Sequence, residues 1–491
     1  MSNKYNLARN DLTRAFIFSN GVNRFGDSPL FAPRMGMDGL SKDIGEPSNI
    51  EVPSATKYGA FDVALALPGE ESRMTSTLQG YMSMSEASLF NQLAKQRCNF
   101  DLHLHFGMCT NPSDFNTYDK VLIFQDVLVT SYNTEALVAL TSGDRAQINE
   151  SLDVSIGDWF EVLPLSYIER GAVQTAGVTP LIGGVVADTR SCGADCDDPS
   201  NGCEKIYLID ADGEVLFSLD GSVSWAQYSA GPMVGEVDDV QVGLDYLNGY
   251  LWSYGQGGHI NYITREGVRD GDAFATTSGL PTTGTAQAAN TVYGVVVGTA
   301  GTILVIKDVA NGVDSNYTGD ITTNALNDVK FSGDNLLIGG AANTIIYSAD
   351  GETFELVTGP TAQAAVAVTA VQPITDQKWL VGYADGKLYG TDDAGVSWTG
   401  ISVPTTAAFA DIDMQSMHVI WATAGDDVLK SIDGGRTWKT APESGKKTLP
   451  ANTVMNVVLA CSENPNFVLA AGQDTSTAGM IINGYTVNNI K

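Results

Sequence analysis

One short pattern occurs four times in this chain of 491 residues, and it restricts the fold more than any other feature. The four copies read Ser218-Leu-Asp220-Gly-Ser-Val-Ser224-Trp225, Ser348-Ala-Asp350-Gly-Glu-Thr353-Phe354, Thr391-Asp-Asp393-Ala-Gly395-Val-Ser397-Trp398 and Ser431-Ile-Asp433-Gly-Gly435-Arg-Thr437-Trp438. From Asp350 to Asp393 to Asp433 the pattern recurs at intervals of ~42 residues, and the gap from Asp220 to Asp350 holds three such intervals. Degenerate copies fit inside that gap near Tyr262–Gly267 and Val305–Asp308. A last copy without the pattern runs through Phe467–Ala471 and Met480–Tyr485. Each copy follows a short apolar run and a Gly-rich turn, as in Trp379–Tyr389. The second half is therefore seven units of ~42 residues, each with several short strands.

Strand-rich units of this length are the signature of a β-propeller, here seven-bladed. The four segments resemble Asp-box hairpins, Ser/Thr-x-Asp-x-Gly-x-Thr/Ser-Trp/Phe. The carboxylate and hydroxyl satisfy N–H groups of the turn, Gly takes a positive φ, and the ring wedges into the blade. Asp220, Asp350, Asp393 and Asp433 with Trp225, Phe354, Trp398 and Trp438 are then structural residues. Two copies depart from the pattern: the first has Ser222 at the usual Gly position, and the Asp350 copy is one residue short.

Composition agrees with a mainly β chain. There are 52 glycines, 43% of residues are hydrophobic and only 17% are charged, enough apolar material for a sizeable core. The 27 basic and 57 acidic residues give a net charge of −30, which argues against a nucleic-acid groove lined by Lys and Arg. Of these, 14 basic and 22 acidic residues lie in 1–190, a net of −8, leaving −22 beyond. That asymmetry and the turn-rich stretch Ser191–Cys203 predict a boundary: an extended arm over 1–50, an assembly domain over 51–190, a Cys-rich linker over 191–204 and the propeller over 205–491. The N-terminus lacks the apolar run of a secretory leader, and no window approaches ~18 uninterrupted apolar residues. A soluble protein made in the cytosol is expected.

Before residue 190 the reading is α+β. Residues 83–97 predict one amphipathic helix, with Ser83 and Glu86 as a capping box and Leu89, Phe90, Leu93 and Ala94 on the apolar face. Strands are expected at Phe61–Leu67, Arg73–Tyr81, Asp101–Phe106, Lys120–Thr130 and Asp158–Leu165. Along Asp101–Phe106, Leu102, Leu104 and Phe106 share one face and His103 and His105 the other. Together these describe a small sandwich or half-barrel with one helix. The segment 1–50 carries turn signals and little periodicity, so it reads as an arm that needs a partner surface.

The run from Ile50 to Arg170 resembles a tailed-bacteriophage tail tube subunit, in the strand pair containing Arg73-Met-Thr-Ser-Thr-Leu-Gln-Gly-Tyr81, the lone helix at 83–97 and the strand-rich stretch from Asp101 through Leu165. The resemblance implies six copies in a ring, inner sheets joined into a barrel, and rings stacked through an N-terminal arm and a long loop. It also implies a place for the propeller, because such subunits often bear an extra C-terminal domain outside the tube. An acidic lumen would let viral DNA pass without specific binding. The function expected is that of a virion structural protein, assembled in the host cytoplasm, with self-association and other tail proteins as partners and host-surface contact through the propeller. The alternative is a capsid-decorating or host-receptor-binding virion propeller.

No residue set calls for catalysis or a cofactor. A sialidase would need an arginine cluster, and only Arg265, Arg269 and Arg436 follow residue 190, two of them in one short connection and the third in a turn. Cys192, Cys196 and Cys203, with Cys461 as a fourth if the chain ends meet, are weak metal candidates; disulfides or unpaired thiols are the alternatives. Cys98 and Cys109 are read as core residues. His103 and His105 could ligate a metal, but a polar face toward solvent or a neighbouring subunit is the favoured reading. Asp210-Ala-Asp212-Gly213-Glu214 has the opening of a calcium loop without its later ligands, so a hairpin turn is expected.

Overall fold

The computed structural model describes residues 14–19, 24–27, 29–32, 36–41, 48–51, 64–67, 74–81, 89–96, 98–106, 120–134, 149–162, 165–170, 180–186, 205–222, 224–229, 231–235, 239–263, 273–441, 453–462, 467–473 and 479–486. The chain forms two compact units. One contains Met1–Asn23 and Ser28–Val162, the other Arg24–Asp27 and Leu163–Lys491. No helix among the described residues is long and apolar enough to cross a membrane.

The first unit is built on strands β1 (Arg14–Ser19), β2 (Leu30–Ala32), β3 (Gly36–Ser41), β4 (Ser48–Glu51), β5 (Ala64–Leu67), β6 (Met74–Tyr81), β7 (Phe100–Phe106), β8 (Lys120–Thr134), β9 (Asn149–Ile156) and β10 (Asp158–Val162), with helix α1 (Leu89–Gln96). Eight of the strands make one sheet in the order β2-β1-β7-β8-β9-β6-β3, with β10 also on β8, while β4 and β5 pair separately. The long strand β8 holds the sheet together. Its first half pairs with β7 and β10 and its second half with β9. The turnover falls at Asp126, whose φ is +54° and whose N–H donates to Asp101 Oδ1 at 2.8 Å. The bent sheet wraps Ala15, Ile17, Leu78, Leu102, Leu104, Phe124, Leu152 and Val154 around Phe90 and Leu93 of α1.

Two expectations change here, and one falls partly outside the described residues. Residues 1–50 are not an extended arm throughout, because β1, β2 and β3 belong to the sheet. The run Ala15-Phe16-Ile17-Phe18 is buried on both faces, so it lacks the alternation that marks a half-exposed strand. The helix is described over Leu89–Gln96, and the Ser83–Glu86 capping box lies outside the described residues. His103 and His105 do not face solvent. Both are fully buried on the side of β7 opposite Leu102 and Leu104, stacked on each other with ring centroids 6.0 Å apart and packed against Phe18 and Phe16.

The second unit is a ring of seven four-stranded antiparallel sheets. The first strands of the blades are Leu181–Val186, Asp245–Leu247, Gly284–Ala289, Leu326–Ser332, Val368–Pro373, Phe409–Met414 and Val454–Ala460 for blades 1 to 7. Each packs on the first strand of the next blade, and that of blade 7 packs on that of blade 1, so the ring is closed. Blade 7 is composite. Val454–Ala460, Val468–Gln473 and Gly479–Thr486 come from the C-terminal end, and the fourth strand, β11 (Leu165–Arg170), comes from before blade 1. The pairing is antiparallel in register from Leu165↔Thr486 to Arg170↔Ile481.

This closure moves the expected boundary. The propeller begins near residue 163, and the Cys-rich stretch falls within blade 1, between its strands Leu181–Val186 and Ile206–Asp210. The turn-rich composition of 191–203 marks an insertion inside a blade, and the charge asymmetry does not sharpen its position.

Composite closure makes a testable demand. Ile481 is 1% exposed in the third strand of blade 7. Ile481→Ala should lower unfolding free energy by about 2–5 kcal/mol in urea titrations. Deleting residues 479–491 leaves β11 and Val468–Gln473 each without its shared partner, and should abolish the cooperative melt of the propeller in calorimetry.

Candidate functional site

The axis of the propeller is shaped by a repeated irregularity. In six blades the first strand shifts register at one place, between Leu181/Gly183, Gly284/Ala286, Leu326/Asp328, Val368/Ala370, Phe409/Asp411 and Met455/Val457. The second strand lies very close there. A Cβ on Gly298 or Gly472 would stand 1.8 or 2.0 Å from the carbonyl oxygen of Thr283 or Val454, so only glycine fits.

Polar side chains of the first strands, several of them within or just after the bulge, tie five of the seven blades to the next. Asp245 Oδ2 accepts the Ala289 N–H at 2.7 Å, and Asp328 Oδ2 accepts that of Val371 at 2.7 Å. Asp411 and Asp413 accept the N–H groups of Val458 and Ala460 at 2.9 and 2.7 Å. Thr285 and Asn327 donate to the carbonyls of Leu326 and Val368 at 2.6 and 2.8 Å. Asn456 of blade 7 donates to the Leu181 carbonyl of blade 1 at 2.8 Å, so the same device spans the seam.

Charge on these strands surrounds the axis. Lys330 of blade 4 reaches past blade 5 to Asp411 of blade 6 at 2.8 Å, which places both side chains in the channel. Asp245, Lys330, Asp413, Asn290 and Asp334 line a cavity of about 390 Å³ there. Burial pushes the carboxyls of Asp245 and Asp328 up to about 7, against the backbone bonds they accept and the charge of Lys330. Burial pulls the Lys330 ammonium down, but Asp411, Asp413 and Asp328 outweigh it and hold its pKa above the ordinary lysine value. The cavity therefore offers a carboxylate and an ammonium side by side. Its carboxylates are already engaged by backbone donors, so their first role is cohesion between blades. Among the described residues, no three His, Cys, Asp or Glu side chains converge as a metal ion would require.

The sequence-derived residues lie elsewhere. Asp220, Asp350, Asp393 and Asp433 occupy the turn between the third and fourth strands of blades 1, 4, 5 and 6, and Trp225, Phe354, Trp398 and Trp438 each immediately precede the fourth strand. In blades 1, 5 and 6 the hydroxyl of Ser218, Thr391 or Ser431 bonds the Asp Oδ1 at 2.8 Å and accepts the N–H four residues on. The residue four after the Asp donates both its N–H and its hydroxyl to the carboxylate. The shorter copy does this with Thr353, three residues after Asp350. Those bonds hold the Asp350 carboxyl below its ordinary value; at Asp393 burial opposes them and the bonds win. The rings are not equally enclosed: Phe354 and Trp438 are buried, Trp225 and Trp398 half-buried.

Cys461 is disulfide-bonded and so is not available as a metal thiolate; Cys192, Cys196 and Cys203 lie outside the described residues. Cys98 is an exposed free thiol rather than a core residue, because it falls in the turn between α1 and β7. Cys109, Arg265 and Arg269 lie outside the described residues. Asp210 receives the N–H groups of Asp212 and Glu214 at 3.0 and 2.9 Å, with Gly213 at φ +83°, closing a hairpin between the second and third strands of blade 1. The axial polar residues belong to none of the sequence motifs. Their signal is the even spacing of Asp245, Asp328 and Asp411, each two repeats beyond the last.

Burial and charge each set an expected outcome. Trp438→Ala should cost about 3–5 kcal/mol by chemical denaturation and Trp398→Ala less, since only the first ring is fully enclosed. Asp245 and Asp328 bind protons more tightly folded than unfolded. Their contribution is thus complete below the ordinary carboxyl value of 3.8 and is lost as pH rises through about 7. The melting temperature of the propeller should fall between pH 5 and 8, and Asp328→Asn should flatten that slope.

No protein-family model and no curated protein matches the chain. Solved structures do. The structure titled "YCF48 bound to D1 peptide" is 14% identical, with a TM-score of 0.50 over 66% of this chain and 98% of that one. YCF48 from Cyanidioschyzon merolae gives 14% identity and a TM-score of 0.49 over 65% and 99%, and the WD40 β-propeller domain of Doa1 gives 15% and 0.48 over 65% and 97%. At 14% identity the likeness to the first is one of fold alone, and it agrees with the closed ring of seven four-stranded sheets: the second unit is a β-propeller.

Proposed function

We propose that this chain is a structural subunit that polymerises through its N-terminal sheet, as the tail tube subunit of a tailed bacteriophage, and carries the propeller on the outside of the tube. The observation that carries this reading is the open sheet. Its order begins at β2 and ends at β3, and among the described residues neither edge has a second strand partner. An open edge is a row of unpaired N–H and C=O groups, and natural sheets are blunted, covered or paired with another chain. A heterologous contact that closes by rotation gives a ring, and stacked rings give a filament. On this reading six copies close a barrel around a lumen that passes viral DNA without binding it, and the tube is part of the virion tail. The four Asp turns are structural Asp-box hairpins, and the chain is not an enzyme. The propeller's acidic surface would keep neighbouring tubes apart.

A second reading has its own support. The axial cavity with Asp245, Lys330 and Asp413 suits a propeller that binds a partner on a virion surface, as a capsid decoration or receptor-binding protein, without polymerising. Negative-stain microscopy separates the two. Rings or hollow tubes from the purified chain, lost in Leu30→Lys, support the tube; Leu30 is 49% exposed on edge strand β2, so that variant should still fold. A monodisperse monomer or trimer at high concentration overturns it in favour of the receptor binder.

A further inference from the structure

The four residues Arg24–Asp27 belong with the propeller, although the residues on both sides of them cluster with the first unit. They form a tight turn, with the Asp27 N–H donating to the Arg24 carbonyl at 3.1 Å and Gly26 at φ +86°. The Phe25 ring is 7% exposed and enters the apolar layer between blades 5 and 6, made by residues such as Ile374, Leu380, Leu388, Phe409 and Trp438.

The propeller is shaped around this turn. The three atoms that a Cβ on Gly390 would meet first all belong to the Phe25 ring, at 2.6 to 2.8 Å, so the missing side chain of Gly390 is the space the ring fills. Lys378 Nζ stands 4.6 Å from the ring centroid, a cation over an aromatic face. Arg436, in the third-to-fourth strand turn of blade 6, donates from Nε to the Arg24 carbonyl at 2.9 Å, and Asp27 acts on its guanidinium as a counter-charge. Arg436 Nη1 is buried with no hydrogen-bond partner among the described residues. The cleft thus reads an aromatic side chain, the carbonyl before it, a glycine turn and a carboxylate.

We propose that this cleft is a peptide-recognition site for an aromatic-Gly-acidic turn, and that its partner in trans is the Arg24–Asp27 turn of a second copy of this chain. Every contact is made by four consecutive residues, and none requires that they come from the same chain. A short turn held by four consecutive residues is the kind of element that copies exchange. In cis the turn benefits from an effective concentration of millimolar order, so a free peptide competes poorly until that turn is disabled. The inference does not depend on whether the N-terminal sheet polymerises.

The test is a fluorescence-anisotropy titration of a labelled hexapeptide, residues 23–28, into full-length chains. Phe25→Ala should bind the peptide saturably, the wild type at least about tenfold more weakly, and Phe25→Ala with Gly390→Ala not detectably. Should Phe25→Ala fail to fold, Asp27→Asn supplies the weakened cis turn. Lys378→Met in either background should weaken the peptide about threefold or more through loss of the cation. A folded Phe25→Ala chain that does not bind, or a double variant that binds equally well, overturns the site. For exchange between copies, tagged Phe25→Ala is mixed with untagged Gly390→Ala, and separately with untagged Phe25→Ala. More capture in the first mixture reads the turn apart from any sheet-mediated assembly. Equal capture in both overturns the exchange between copies.

Discussion

A propeller ring holds only while its last blade meets its first, and in this propeller that meeting is pinned by one strand pair. β11 and Gly479–Thr486 share six paired positions, and without them blade 7 would be a three-stranded sheet held to the ring only by packing. The pair joins the two ends of the propeller's sequence, so it carries a large loop-closure cost before its contacts return anything. That cost is met by burial. Ile481, Leu469, Leu459 and Val457 of blade 7 share one apolar cluster with Leu181, Ile206, Leu208 and Leu216 of blade 1. The seam is therefore an apolar joint like those between consecutive blades.

Closure also fixes the electrostatics of the axis. Seven first strands brought side by side put their backbone N–H and C=O groups where no fifth strand can pair them. Asp, Asn and Thr side chains of these first strands take over that role, each bonding the neighbour on one side. Carboxylates do this well because they accept at both oxygens, but gathering several around one axis concentrates negative charge in a region shielded from water. Two of them respond by holding their protons near neutral pH, and Lys330 offsets part of the rest through Asp411. Cohesion of the ring and the chemistry of its cavity arise from the same residues.

How much of this was legible depended on whether a feature is local. The Asp turns were, because their bonds join residues two to four apart and must reappear wherever the turn does. So were the core of α1 and five strands of the first unit, β5, β6, β7, β8 and β10, whereas β9, whose buried residues alternate as regularly as those of β6, was not among the expected strands. Features set by distant partners were not. β11 carries no turn pattern, since it supplies only the outermost strand of a blade whose other strands are C-terminal. Val186 and Ile206 belong to neighbouring strands of one blade, but the Cys-rich stretch between them looks in sequence like an interdomain linker. His103 and His105 alternate with leucines as an exposed face would, yet β7 is covered on both sides. Alternation reports polarity, and here the second face is lined by imidazole and phenyl rings.

The Arg24–Asp27 turn is the extreme case, for nothing in its own sequence distinguishes Arg-Phe-Gly-Asp from the other turn signals of the N-terminal segment. Its significance lies in the receptor. A glycine at 390 in the middle of a strand is unfavourable on propensity grounds, and a lysine at 378 that is only 7% exposed is held by burial down to about 7. The glycine, a flaw in the strand taken alone, is the hollow that the Phe25 ring fills, and the Lys378 ammonium stands over the face of the same ring. A strand glycine whose missing side chain is the space one ring occupies, under a lysine placed over that ring, is how a fitted cleft differs from an accident of packing, and it is why we treat the turn and the cleft as ligand and site.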